Sequence, residues 1–310
     1  MASGQIVYPA AAMGIVHDTA KNEQTFLKCG VDDIISLVVD PEGIRVYLGE
    51  QAERPAIYVW DTSSSPYTLV TTIRKCLKTG VDGLEINNNG FLLASCLDKN
   101  NTLAIYSREE NYDCIYTVKL GNDEMCTFDP TAEYSTPTFT LHGSVIQLNW
   151  ISDYKFVLTG NGEPQLRSIS SEDTEMVTFP LIVKSSAIIL CAVDCPNGDV
   201  AFGTSDGDLL IWKHMDSTDQ RSNQERLHKG SLDALAVDSA GSGHFTLMSG
   251  GKDGIIHVFN EVYNKIMHIE IYSLCPHIIN GQIRAISLCL SQKKIGVGCI
   301  SGDIFEINYE

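Results

Sequence analysis

The chain lacks any apolar run long enough to cross a bilayer. Its longest, such as SAIILCAV and PAAAMGIV, stop near eight residues, against the ~20 that a spanning helix needs. The N-terminus has no basic segment leading into a signal-like apolar core, so the chain reads as not secreted. No CxxC pair occurs among the ten cysteines. Several, including Cys191, Cys289 and Cys299, sit in apolar strand-like runs where a thiol acts as a small buried hydrophobe. Cys191 and Cys195, the closest pair, would share one face of a strand but stand too far apart to bridge. Reduced thiols in an intracellular protein are expected, rather than a disulfide framework or a zinc site. Basic residues are scarce: 22 Lys and Arg against 39 Asp and Glu leave a net charge of −17. Such a surface repels phosphate backbones and anionic lipid, which argues against nucleic acid and membrane as partners. The short basic clusters TTIRKCLK and QKK read as solvated rims.

Catalytic signatures are missing too. There is no GxSxG, HExxH, P-loop or Gly-rich dinucleotide fingerprint. Neighbouring acids such as Asp32-Asp33, Glu109-Glu110 and Glu172-Asp173 fall in strand or turn contexts, where adjacent side chains point apart. The NGD and DGD fragments lack the ligand spacing of a calcium loop. No enzyme activity, cofactor or metal is expected. Nor does any segment hold a helical period over three turns.

What the chain has instead is a repeat. TSDGDLLIWKHM and SGGKDGIIHVFN share a small polar residue, an Asp-Gly turn and an alternating apolar strand. Strand-end residues of this kind are Trp60, Tyr106, Ile169, Trp212, Phe259 and Ile307, separated by 46, 63, 43, 47 and 48 residues. Four of these steps approach the ~40–45 residues of a propeller blade. The long step contains a polar, Pro-containing stretch and reads as a surface loop inserted at about 121–143. Within each period an apolar strand, a Pro/Gly/Asn/Asp turn, a second short strand, a tight turn and a third strand recur, with a fourth strand usually following. Short alternating runs parted by Gly/Asp turns signal antiparallel meanders. An all-β propeller of about seven four-stranded blades follows in preference to a β-sandwich, which needs no such period.

In the SxDG turn the Asp can accept turn N–H groups while Gly supplies positive φ. The pattern is similar to WD repeats, in which a His before the first strand, a Ser/Thr, the turn Asp and a strand-end Trp form a buried network. On that resemblance His228, Ser249 and Asp253 are expected to form a structural network, with Phe259 in place of the Trp. Asp206 and Trp212 are expected to play the corresponding parts one blade earlier. His142 is placed similarly in a blade with neither the Asp nor the aromatic.

The N-terminal stretch narrows the resemblance. IVYPAAAMGIV, the doubled Asp32-Asp33 and PAIYVWD ending at Trp60 resemble the echinoderm microtubule-associated protein-like family and its hydrophobic HELP-type motif. DVAFGTSDGDLLIWK and RLHKGSLDAL with LMSGGKDGIIHVF are similar to later blades of the same propeller. Asp33 and Trp60 join the blade-network residues on this basis. The resemblance runs from Gly4 to Glu310 and is weakest over 108–180. It implies one propeller domain over 1–310: residues 1–31 hold the end of the motif and a partial first blade, and 32–310 hold six WD-like blades. Where the family has Gly-His before the first strand, this chain has Cys29-Gly30.

By implication the protein associates with tubulin or microtubule-bound proteins, in the cytoplasm and cytoskeleton or a ciliary axoneme. The alternative is a soluble WD-repeat scaffold. Expected contact elements are the 121–143 insertion with Glu124, Phe128 and Tyr134, the 213–231 loop with Arg221 and Arg226, and the 261–280 loop with Tyr263. Each is longer than a blade connection requires.

Overall fold

The computed structural model describes residues 5–96, 102–119, 145–151, 155–160, 165–168, 177–178, 187–213, 221–224, 226–239, 244–278, 280–289 and 293–308. Among them the strands form seven antiparallel sheets, five of them four-stranded. The chain divides into two compact units, Met1–Thr178 and Phe179–Glu310.

In the first unit β1 (Ile6–Ala10), β2 (Met13–Asp18) and β3 (Glu23–Lys28) make a three-stranded sheet. Four-stranded meanders follow. The second sheet is β4 (Ile34–Val39), β5 (Arg45–Glu50), β6 (Ile57–Asp61) and β7 (Thr68–Ile73). The third is β8 (Gly83–Ile86), β9 (Phe91–Cys96), β10 (Thr102–Ser107) and β11 (Asp113–Lys119). The fourth is β12 (Val145–Trp150), β13 (Lys155–Gly160), β14 (Gln165–Ser168) and β15 (Val177–Thr178).

The second unit opens with β16 (Ile189–Asp194), β17 (Val200–Thr204), β18 (Leu209–Trp212) and β19 (Arg221–Gln224). The next sheet is β20 (Leu232–Ser239), β21 (Phe245–Gly251), β22 (Ile255–Phe259) and β23 (Lys265–Glu270). A single helical turn, α1 (Ile271–Leu274), leads to the three-stranded β24 (Ile283–Cys289), β25 (Lys294–Cys299) and β26 (Ile304–Asn308). The stretches 213–231 and 261–280 are therefore not plain loops. They contain the fourth strands β19 and β23, which read as connections because β19 has the polar sequence RSNQ and β23 is almost wholly exposed.

Each meander is fixed locally. Asp40 Oδ1 accepts the amides of Ile44 and Arg45 at 2.7 and 3.0 Å, and Asn87 Oδ1 accepts that of Phe91 at 2.9 Å. Gly43, Gly90 and Gly198 close these first turns at φ of 71°, 79° and 84°, a region that side-chain-bearing residues avoid. The middle strands are buried on both faces, as β5, β10 and β17 show, while the outer strands β7 and β23 are mostly exposed. Burial on both faces follows from sheet-on-sheet stacking. In the first unit Tyr47 and Val59 pack with Leu92 and Tyr106 of the third sheet, whose Leu93 and Ile105 pack with Leu148 and Phe156 of the fourth. In the second unit Leu209 and Ile211 pack with Leu247 and Phe259. Each such side chain, fully buried, contributes about 1.5–3 kcal/mol.

Candidate functional site

His228 lies between β19 and β20, where its amide donates to the Gly207 carbonyl at 3.1 Å. This bond sets the ring against the turn between β21 and β22. Nδ1 lies 2.9 Å from Asp253 Oδ1, and Nε2 lies 2.9 Å from Ser249 Oγ. A carboxylate only accepts, so Nδ1 carries the proton and the serine hydroxyl donates to Nε2. Asp253 also accepts the amides of Lys229 (2.9 Å) and Ile255 (3.2 Å). Burial works to raise its pKa, but the bonds from His228 and Lys229 outweigh it and hold the carboxyl below its usual range. Ring and carboxylate are thus spent on holding a connection to a hairpin. Phe259, fully buried, fills the strand-end position without adding a donor.

Beside this group lies a residue that the sequence reasoning missed. The His257 ring centroid is 4.8 Å from that of His228. Both His257 nitrogens are buried without a well-formed hydrogen bond among the described residues, the Leu227 backbone being the polar group that faces the ring. Burial, followed by the neighbouring His228, lowers its pKa to about 4. The chain signalled it only as a polar residue inside an otherwise apolar IIHVF strand.

The blade before differs from expectation. Asp206 is exposed, and its carboxylate accepts from the hydroxyl of its neighbour Ser205 at 3.4 Å. Residues 179–188 contain no histidine to meet it. The buried carboxylate here is Asp208, which accepts the Arg226 amide at 2.6 Å while its own amide donates to Thr204 Oγ1 at 3.0 Å. Trp212 is buried at the end of β18.

Asp33 is likewise exposed and contributes its carbonyl, which accepts the Gln51 amide at 2.8 Å. That makes it the counterpart of Ser231, whose carbonyl accepts from Lys252, and not of a turn aspartate. Trp60 is half-buried against the cluster containing Val16, Leu27, Val46 and Leu48.

The register explains how the second sheet manages without its histidine. Ile34 pairs with Glu50 as Leu232 pairs with Gly251. Gly30 and His228 each stand four residues before the paired isoleucine or leucine, so Gly30 occupies the histidine position and Glu50 the position of Gly251. By the same register Tyr58, opposite Leu48, matches His257, opposite Ser249. A Cβ at Gly251 would lie 2.6 Å from His228 Cγ, so that glycine makes room for the imidazole. In the second sheet the arrangement is reversed. A Cβ at Gly30 would overlap Glu50 Oε1 and the Tyr58 hydroxyl, so the missing side chain leaves space for a buried carboxylate. Tyr58 donates to Glu50 Oε2 at 3.2 Å, and Arg74 donates to the Tyr58 hydroxyl at 3.3 Å.

Of the residues expected to meet partners, Glu124, Phe128 and Tyr134, with the 121–143 insertion, lie outside the described residues, as does His142. Arg221 begins β19, and Arg226 is exposed beside it with φ 51°. Tyr263 is a correction. It is 6% exposed, and its hydroxyl donates to Asp199 Oδ2 at 2.6 Å while Asn197 Nδ2 lies 3.1 Å from it. A left-handed backbone at φ 63° turns its ring into the core, where burial and the Asp199 carboxylate push its pKa up. Among the described residues no group of three or more His, Cys, Asp or Glu side chains is placed to hold a metal.

No protein-family model matches the chain. Sequence similarity extends to echinoderm microtubule-associated protein-like 1 of Mus musculus, 23% identical over 98% of this chain and 36% of that protein. It extends also to protein-like 3 of Mus musculus, 23% identical over 81% of this chain and 30% of that protein, and to protein-like 2 of Homo sapiens, 24% identical over 87% and 40%. The chain thus spans between 30% and 40% of the length of these relatives. Among solved structures, the WD40 β-propeller domain of Doa1 superposes with a TM-score of 0.72 at 13% identity, covering 100% of this chain and 91% of that one. A chain of the mitotic checkpoint complex superposes with 0.70 at 14% identity, covering 100% and 88%. The chain is a WD40-type β-propeller whose sequence resembles that of the echinoderm microtubule-associated protein-like proteins.

Proposed function

We propose that this chain is a non-catalytic microtubule-associated protein of the cytoskeleton that docks through its propeller connections, and that in cilia it is a component of the axoneme. The observation that carries this reading is similarity along 98% of the chain to a protein named for microtubule association. The chemistry of the described residues is compatible with it. His228, Asp253 and Ser249 are committed to one another, and Asp199 to Tyr263 and Asn197. The net charge of −17 sets the mode of binding. Tubulin is itself acidic, so long-range attraction is absent and contact rests on short-range loop interactions or a bridging protein.

Co-sedimentation with polymerised tubulin tests the reading. The chain should pellet with microtubules, and raising salt from about 50 to 200 mM should lower the bound fraction less than about two-fold. A steep salt dependence would refute the short-range mode. Failure to pellet, with recovery in tubulin-free assemblies, would favour the scaffold reading, for which the acidic charge is the supporting observation. Deleting residues 121–143 separately tests that insertion as the contact element.

A further inference from the structure

Eight cysteines have described side chains, and all eight are free thiols. Cys96, Cys191, Cys195 and Cys299 are buried within the sheets. Cys76 and Cys114 differ in being brought together at the surface of the first unit, from positions 38 residues apart in sequence.

Cys76 lies in the connection from β7 to β8, exposed, with φ 75°. Cys114 lies on β11 opposite Tyr106 of β10, just beyond a register shift between Ile105 and Tyr106. Such bulges re-aim the side chains beside them. Two further bonds hold the connection against this strand. The Tyr106 hydroxyl donates to the Lys75 carbonyl at 2.6 Å, and Lys75 Nζ donates to Asp113 Oδ1 at 2.6 Å. The residues preceding the two cysteines are therefore paired. These bonds bring the two thiols side by side, with Cys76 the first group to act on Cys114, whose Sγ also lies 3.1 Å from Thr117 Oγ1 and 3.3 Å from the Tyr116 carbonyl. The contact with Cys76, then burial, holds the proton on Cys114.

We propose that Cys76 and Cys114 form a redox-responsive dithiol, a site modified by small-molecule disulfides such as oxidised glutathione and closing to an intrachain disulfide. Cys76, the exposed partner, attacks as its thiolate one sulfur of the small disulfide. A Cys76–glutathione bond forms, and one glutathione leaves as thiolate and takes up a proton. The adduct removes the Cys76 thiol that held the Cys114 proton, so Cys114 then loses it to solvent and attacks the Cys76 sulfur, and the second glutathione leaves in the same way. Two protein thiols are oxidised and one disulfide is reduced to two thiols. The product ties the β7–β8 connection to the outer strand of the third sheet. Contact explains why the second step outruns persistence of the adduct: the resolving thiol is present at millimolar effective concentration or above.

The reduced full chain, incubated under native conditions with about 0.1 mM oxidised glutathione, alkylated and digested, gives the test. The Cys76–Cys114 linked peptide should exceed the Cys76–glutathione adduct by about ten-fold. Cys114→Ser should leave the glutathione adduct at Cys76, and Cys76→Ser should leave Cys114 unmodified and open to alkylation. Circular dichroism of both variants confirms that the fold is retained. The proposal is overturned if wild type accumulates the Cys76 adduct with Cys114 still alkylated. It is equally overturned if neither thiol reacts, or if Cys76→Ser leaves Cys114 as reactive as in wild type.

Discussion

Placing a methyl group at Gly30 is the sharpest test of the reversed arrangement in the second sheet. In Gly30→Ala the new Cβ would overlap Glu50 Oε1 and the Tyr58 hydroxyl, and it would lie 2.8 Å from Glu50 Cδ. Glu50 is 3% exposed and cannot swing into solvent without moving β5. Displacing it forfeits the Tyr58 bond and leaves a buried carboxylate short of a donor, at about 1–3 kcal/mol. Overpacking adds about 1–3 kcal/mol. A total loss of about 2–6 kcal/mol corresponds to a Tm lower by roughly 3–9 °C for a chain of this size. Thermal unfolding followed by circular dichroism at one scan rate reads this. Adding Glu50→Gly removes the overlap with the carboxylate and leaves the Tyr58 hydroxyl room to shift, so the double variant should melt closer to wild type than the sum of the two single changes, with a coupling of about 1–2 kcal/mol. Additive losses, or a Gly30→Ala change within about 0.5 kcal/mol of wild type, would refute the reasoning.

His228→Ala should cost about 2–4 kcal/mol, since it empties a packed site and strips Ser249 and Asp253 of a shared partner; Ser249→Ala should cost about 1 kcal/mol, both read from urea midpoints. His257, with a folded pKa near 4 against 6.5, stays neutral while the unfolded chain takes up a proton. Stability should therefore be undiminished above about pH 6.5 and fall by up to about 3 kcal/mol as pH drops towards 4. Groups facing it act in both directions: Asp253 and the Leu227 backbone oppose the effect, while His228 and Lys265 reinforce it. His257→Phe should flatten this part of the Tm–pH curve, and an unchanged slope would remove His257 as its source. Tyr263→Phe should lose about 1–2 kcal/mol by leaving Asp199 with one donor fewer, and melting with wild-type Tm would show that the hydroxyl carries no net weight.

Much of the blade architecture was legible because it is written in neighbouring residues. The turns at Asp40 and Asn87 are closed by bonds spanning four or five positions, and Gly207 and Gly254 carry the positive φ that their Asp-Gly turns require. The fourth strands were less so, since β23 is almost wholly exposed and alternates weakly. Tyr263 misled for a related reason. It stands among polar, loop-like neighbours, and only its left-handed backbone directs the ring inward.

By itself the sequence determined the period, the alternating strands and the turn glycines, because local hydrogen bonds and period-two burial act over a few residues; the His228, Ser249 and Asp253 set, whose bonds span 21 and 25 positions, was legible only through its resemblance to WD repeats. The tertiary structure decided which aspartate is buried, Asp208 rather than Asp206, and that Gly30 leaves space for Glu50. It also decided that Cys76 meets Cys114. These depend on register and on the stacking of one sheet against the next, where residues far apart in the chain compete for the same small volume.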